Sequence, residues 1–279
     1  MVHNKLTVVA IYGHNDGSAA IPSLVHSVAQ LEGSRGLLIS REKPASLPAH
    51  IEWKMVCPLN YAQYSVFVMH SLYSYIDTEY CLIVQEDSWV LDGNNLKEEH
   101  YQYDYIGAPC HAAITGSSVV FGYEWVNEPD RIIIQNGGFS FRSKKLLEAL
   151  NKNGLIHQPT ADLRIWNEDV QITGFYRGAL EGLGIRFAPD DVSKRFAIEY
   201  MVPQIHLDVL FDDLVGSHGQ SRKMISDNHV VADITLPQIK YSYREQEFLL
   251  YLQVVGYRVD YVEGNAEEGT IEAGKSISV

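Results

Sequence analysis

Apolar and polar positions alternate in blocks along the first half of the chain. Leu6 to Tyr12, apolar except for Thr7, is a run of the kind a strand buried on both faces needs, and the turn signal Gly13-His14-Asn15-Asp16-Gly17 closes it. Ile21 to Leu31 reads as a helix, with Pro22 in its first turn and Gly33 past its end. Gly36 to Ser40 and Trp53 to Val56 are further strand segments. Asn60 followed by Gln63 is a capping-box pattern, and Met69, Leu72, Tyr73 and Ile76 supply the buried stripe of the helix it starts. Tyr80 to Gln85, mainly apolar, runs directly into Glu86-Asp87. This order predicts an α/β fold, a mostly parallel sheet with helices on both faces.

In such sheets ligands bind outside the carboxyl ends of the strands, at a topological switch point. Three polar strand ends, Tyr12-Gly13 with the turn after it, Ser40-Arg41 and Gln85-Glu86-Asp87, are therefore expected along one edge. The second half is less regular. Ile132-Ile133-Ile134 leads into Asn136-Gly137-Gly138-Phe139-Ser140, read as a bulge or turn before a helix from Ser143 to Asn151. Glu168-Asp169 opens a helix running towards Leu183-Gly184, and Ile185 to Pro189 reads as a strand. After His218-Gly219 the pattern loosens, and Glu263 to Val279 reads as a frayed tail. The expectation is a single domain over residues 1–232 with a C-terminal extension, residues 233–279, that carries a helix.

Composition narrows the classes. With 279 residues, 46% hydrophobic and 20% charged, the chain can bury one large core. Cys57, Cys81 and Cys110 form no CxxC pair, so neither a disulfide framework nor zinc bound through cysteines is expected. There is no export signal and no apolar run approaching ~20 residues, which predicts a cytoplasmic protein and leaves peripheral membrane attachment open. The net charge of -13, without a basic cluster beyond Arg142 and Lys144-Lys145, argues against a nucleic-acid partner. A phosphorylated ligand would meet repulsion here, about 4 kcal/mol for two like charges ~4 Å apart at an effective dielectric near 20. A bound divalent cation reverses that sign.

Four groups of residues carry candidate chemistry, and each has a bland alternative. Asp87, just past a buried strand, suits a hard cation, or simply caps its loop. Gly137-Gly138 allows close backbone approach to a ligand, or marks a bulge. Glu168-Asp169 supplies a general base, or stabilises a helix N-terminus capped by Asn167. His218, in the polar loop Gly216-Ser217-His218-Gly219-Gln220, is a metal ligand or a solvated side chain.

Taken in order, Tyr80-Cys81-Leu82-Ile83-Val84-Gln85-Glu86-Asp87, Tyr103-Asp104-Tyr105-Ile106-Gly107-Ala108-Pro109 and Asn136-Gly137-Gly138-Phe139-Ser140-Phe141-Arg142-Ser143 resemble the DUF5672 family of glycosyltransferase-like proteins. Glu168-Asp169-Val170, Leu183 to Pro189 and His218-Gly219 continue the resemblance, which covers about residues 60–220. It implies a GT-A-like, Rossmann-type mixed sheet and sugar transfer from a nucleotide-diphosphate donor of UDP type to a glycan or other hydroxyl acceptor, as in polysaccharide biosynthesis. By position it implies Asp87 and His218 as ligands of Mn²⁺ or Mg²⁺, and Asp169, in the pair with Glu168, as the catalytic base. Asn136, Gly137 and Gly138 stand where donor sugar and acceptor are approached, and the strand ends Tyr12, Gly13, Ser40, Arg41, Gln85 and Glu86, expected along one edge from the topology, are the further donor- and acceptor-binding candidates. The metal motif departs from Asp-x-Asp, because Gln85 stands where the first acid would be.

An inverting, metal-dependent transferase is the leading expectation, and a retaining one on the same fold shares every binding feature. A nucleotidyltransferase would want a basic residue in the loop after the first strand, which Gly13 to Gly17 lacks. A non-catalytic nucleotide-sugar or glycan binder is the reading that Gln85 favours.

Overall fold

Alternate residues of the central strands feed two separate cores, as the two-residue period of a strand dictates. In β1 (Leu6–Tyr12), Val8 and Ala10 pack on one face while Val9 and Ile11 pack on the other. The same division holds in β2 (Arg35–Ser40), where Leu38 opposes Leu37 and Ile39. Helix α1 (Ile21–Gln30) covers the first face through Leu24, and α2 (Tyr61–His70) covers the second through Phe67 and Val68. Burial on both faces is why these strands read as unbroken apolar runs. The capping box of α2 is formed: Asn60 Oδ1 accepts from Gln63 N at 2.9 Å and Gln63 Oε1 accepts from Asn60 N at 2.9 Å.

The computed structural model describes residues 1–13, 16–158, 162–201 and 203–263. His14 and Asn15 of the first turn, and the tail from residue 264 onwards, lie outside the described residues. Strands β3 (Ile51–Met55) and β4 (Tyr80–Val84) join the first two in a seven-stranded sheet. Past it, β5 (Ser88–Val90) turns away into a second sheet, while β6 (Tyr105–Thr115), β7 (Ser118–Phe121) and β8 (Ile132–Ser143) complete the first. The order is β3-β2-β1-β4-β8-β6-β7. The first four strands are parallel, and β8 is antiparallel to both β4 and β6, so β6 points with the first four. The fold is a single mixed α/β domain with a large, mostly parallel sheet flanked by helices.

Three elements differ from the sequence expectation. Asn136 to Ser140 is no turn; it lies inside β8, where the register against β6 shifts between Gln135 and Ser140, an irregularity of the bulge kind. The helix expected from Ser143 forms as α3 (Lys144–Lys152), but the one expected from Glu168 is broken into a short turn α4 (Glu168–Val170), a π turn over Gln171–Phe175, and α5 (Arg177–Gly182). The π turn is closed by Tyr176 N donating to Gln171 O at 2.9 Å. The strand expected over residues 185–189 makes a single bridge, Phe187 to Tyr105.

The loosened pattern after His218 conceals ordered structure. Two short strands, β9 (Ala197–Ile198) and β10 (Gly216–His218), flank one another, and β10 pairs antiparallel with β5. Strands β11 (Arg222–Ser226), β12 (His229–Asp233) and β13 (Arg258–Val262) form a third sheet. The helix Tyr243–Val254 packs Phe248 and Leu252 with Trp89 and Val230 into a further core. Residues 233–263 thus share a core with β5.

Candidate active site

The parallel strands set the site's floor. Strands β2, β1 and β4 are neighbours, so their carboxyl ends lie on one edge. Tyr12 closes β1 and donates its hydroxyl to Glu86 Oε2 at 2.9 Å. Burial first, then that hydrogen bond, pushes the Tyr12 phenol well above its ordinary value. Lys223 holds the other Glu86 oxygen at 2.9 Å, so Glu86 is spoken for by two partners. Gly13 is pressed on Leu59, where an added Cβ would meet Leu59 Cβ at 2.4 Å. Ser40 is buried, donates to Glu42 O at 2.7 Å and accepts from Trp53 Nε1 at 2.9 Å. Arg41 is exposed beside Glu42. Ser40 and Arg41 end β2, two strand spacings or about 10 Å from β4.

The second cluster gathers across β4, β8 and β10. The antiparallel register of β5 and β10 sets His218 opposite Ser88 and therefore beside Asp87. His218 Nε2 lies 3.5 Å from Asp87 Oδ1, and both side chains are buried. His218 is the last residue of a strand rather than part of a loop, and burial lowers its pKa, leaving a neutral imidazole able to ligate. Both glycines of β8 are explained by what rests on them. An added Cβ at Gly138 would meet His218 Nε2 at 2.5 Å and Gln85 Oε1 at 2.6 Å; one at Gly137 would meet Glu168 Oε1 at 2.2 Å. Gln85 is held by Tyr64, which accepts from its Nε2 at 3.2 Å, so its carbonyl oxygen faces the same point as His218 Nε2. Asn136 Oδ1 accepts from Gly138 N at 2.7 Å and Phe139 N at 3.2 Å, bracing this stretch.

Glu168 and Asp169 meet different fates. Fully buried Arg142 donates to Glu168 Oε1 at 2.8 Å, making a closed ion pair beneath Gly137. Asp169 Oδ2 accepts from Gly137 N at 3.1 Å and Oδ1 from Val170 N at 2.7 Å, with no cation of its own among the described residues. The helical turn is short, and burial, with the charge of Glu168 next, pushes the Asp169 carboxyl up to about 7.

Sequence reasoning missed Glu199. The parallel pairing of β9 and β10 sets Ile198 beside Ser217, which carries Glu199 to His218, with Oε1 3.8 Å from Nδ1. Burial, then the charge of Asp169, pushes the Glu199 carboxyl up to about 8. Neither Glu199 Oε2 nor His218 Nδ1 has a hydrogen-bond partner among the described residues. No local pattern marks Glu199, because a strand of two residues is too short to show a period.

The donors fit a hard divalent cation. Two ligand atoms about 2.1 Å from one ion lie about 3.0–3.4 Å apart, so Asp87 Oδ1 and His218 Nε2 need move by only a fraction of an ångström. Fully buried Arg142 pairs with Glu168, while among the described residues no Lys or Arg side chain pairs with Asp87, Asp169 or Glu199, a place that a cation would fill.

Residues 56–209, more than half of the chain, match the sequence profile of a family described as protein of unknown function (DUF5672). The chain belongs to the DUF5672 family. That stretch holds Asp87, the β8 glycines, Asp169 and Glu199, while His218 lies beyond it. No curated protein matches the sequence. Among solved structures the chain is similar to the crystal structure of an active-site mutant of LgtC, at 14% identity and a TM-score of 0.41, over 76% of this chain and 86% of that one. No helix among the described residues is long and apolar enough to cross a membrane.

Proposed function

We propose that this protein transfers a glycosyl group from a nucleotide-diphosphate sugar to a hydroxyl acceptor. One observation carries the reading: a carboxylate–imidazole pair suited to a divalent cation, Asp87 and His218, and an uncompensated carboxyl suited to a base, Asp169, meet over the Gly137-Gly138 stretch of one strand. The resemblance of the motifs to glycosyltransferase-like proteins supports the same assignment, with a UDP-type donor and a glycan acceptor in the cytoplasm.

Asp87 Oδ1 and His218 Nε2 would hold Mn²⁺ or Mg²⁺, with Gln85 Oε1 as a neutral oxygen donor where an acid is absent. When bound, such an ion supplies positive charge to the departing diphosphate. Asp169 accepts the proton of the acceptor hydroxyl as its oxygen attacks the anomeric carbon and the bond from that carbon to the diphosphate oxygen breaks. A carboxyl near neutrality suits this role, since a general base works best with a pKa close to the operating pH. Gly137 N–H fixes one Asp169 oxygen, and Arg142 holds Glu168 out of the reaction.

The test is product formation from a panel of nucleotide sugars, with and without manganese, and the anomeric configuration of the product. Metal-stimulated transfer with inversion is the expected result. Tight donor binding with neither transfer nor hydrolysis would make the protein a binder, and retention would remove the base role of Asp169.

A further inference from the structure

Cys110 and His111 are neighbours on β6, and neighbours on a regular strand point to opposite faces. Here the β6–β8 register shifts between Pro109 and Ala113, an irregularity of the kind that re-aims side chains. Cys110 Sγ comes to 3.6 Å from His111 Nδ1. Glu199, arriving after β9, completes a group in which a sulfur, an imidazole nitrogen and a carboxylate oxygen all lie within 4.8 Å of one another. A tetrahedral ion with sulfur at about 2.3 Å and nitrogen at about 2.0–2.1 Å holds those two atoms about 3.6 Å apart, which is the spacing found. Glu199 is 6% exposed, and its Oε2 has no hydrogen-bond partner among the described residues. A buried polar oxygen left without a partner is costly, and a bound cation would give it one.

We propose that Cys110, His111 and Glu199 hold one thiophilic divalent cation of the zinc class, at a site distinct from Asp87 and His218. Sulfur and imidazole select such an ion over Mn²⁺ and Mg²⁺, which prefer oxygen. Three protein ligands leave a fourth position for water, and half-buried His111 gives a route from solvent. The sequence expectation of no zinc through cysteines rested on the missing CxxC spacing, and a mixed donor set drawn from two segments carries no such signature. Because Glu199 Oε1 lies 3.8 Å from His218 Nδ1, the ion would also fix that carboxylate beside His218. The site does not depend on the glycosyl-transfer reading.

Cobalt(II) is the probe, titrated into the metal-free full-length chain in a Cys57→Ser background, because Cys57 is an exposed thiol. One equivalent should produce the thiolate-to-cobalt charge-transfer band and the strong visible absorption of tetrahedral cobalt, and zinc should displace both. Cys110→Ser should remove the band and weaken cobalt binding by more than about 100-fold, beyond the 10–100-fold that loss of a merely supporting residue costs. Asp87→Ala should leave the band in place. If Cys110→Ser does not fold, His111→Ala takes its place, with loss of the tetrahedral absorption expected. A wild-type protein with no charge-transfer band, a band that survives Cys110→Ser, or cobalt absorption lost with Asp87→Ala overturns the proposal.

Discussion

Two buried ionic centres in this molecule use the same residue types and balance their charges differently. Behind β11, fully buried Arg222 ion-pairs with Glu245, and its guanidinium also donates to the carbonyls of His218 at 2.8 Å and Glu199 at 3.0 Å. Glu245 accepts in addition from Met201 N at 2.8 Å. Along β8, by contrast, Arg142 pairs with Glu168 alone, and the carboxyls of Asp169 and Glu199, with no Lys or Arg side chain paired to them among the described residues, resist ionisation. The first centre is balanced and fastens two segments together. The second is left short of positive charge, a condition that costs stability and is found where a ligand or a reaction makes use of it. The two are joined, since Arg222 grips the backbone of both His218 and Glu199.

The largest expected effect breaks the balanced centre. Arg222→Met strands Glu245 in the core and should cost about 3–5 kcal/mol in denaturant unfolding, whereas Arg222→Met with Glu245→Leu should recover most of it. Cation affinity should not recover in the double variant, because the grip on His218 and Glu199 is gone. Recovery of both would separate the two centres.

A smaller effect sharpens the division within β8. Gly138→Ala drives a methyl group into His218 and Gln85, so manganese affinity by calorimetry should fall about 10–100-fold with about 1–3 kcal/mol of destabilisation. Gly137→Ala presses instead on Glu168 and Arg142, and should cost stability first. Equal losses of affinity in both variants would mean that the strand is one undivided unit.

The pH dependence of stability tests the same division from the side of charge. The Asp169 and Glu199 carboxyls titrate at about 7 and about 8 in the folded chain, well above their unfolded values. Between those limits the folded state binds more protons, so their contribution is complete below about pH 4 and is lost as pH rises through about 7 to 8. Asp169→Asn with Glu199→Gln should therefore gain stability relative to the parent at about pH 9 and little at about pH 4, by thermal unfolding. A gain confined to acid pH would reverse the sign and refute the assignment.

How much of this was legible depended on whether the interaction was local. The apolar run of β1, the Asn60–Gln63 capping box and the carboxylate at the end of β4 are written in neighbouring residues, and they fix the sheet edge. The Gly137-Gly138 pair was visible as a bulge or turn and proves an irregularity within a strand, its glycines making room for side chains from β10 and α4. Glu199 was invisible, since two paired residues of β9 bring it to His218 across a long stretch of sequence. The Arg142–Glu168 pair was hidden for the same reason, and it divides two adjacent acids into one held and one free.

That division supplies the most direct measurement: turnover and unfolding free energy, side by side, for Glu168→Gln and Asp169→Asn. The two residues are sequence neighbours with similar burial and differ in whether a guanidinium holds them. Glu168→Gln leaves Arg142 uncompensated and should cost about 3–5 kcal/mol, with activity per folded molecule largely kept. Asp169→Asn should gain stability at neutral pH, where the raised carboxyl already costs the parent, and should lower turnover about 10²–10⁴-fold, with donor affinity retained. Full turnover in Asp169→Asn, or a loss of turnover on Glu168→Gln in protein that is still folded, would contradict the account.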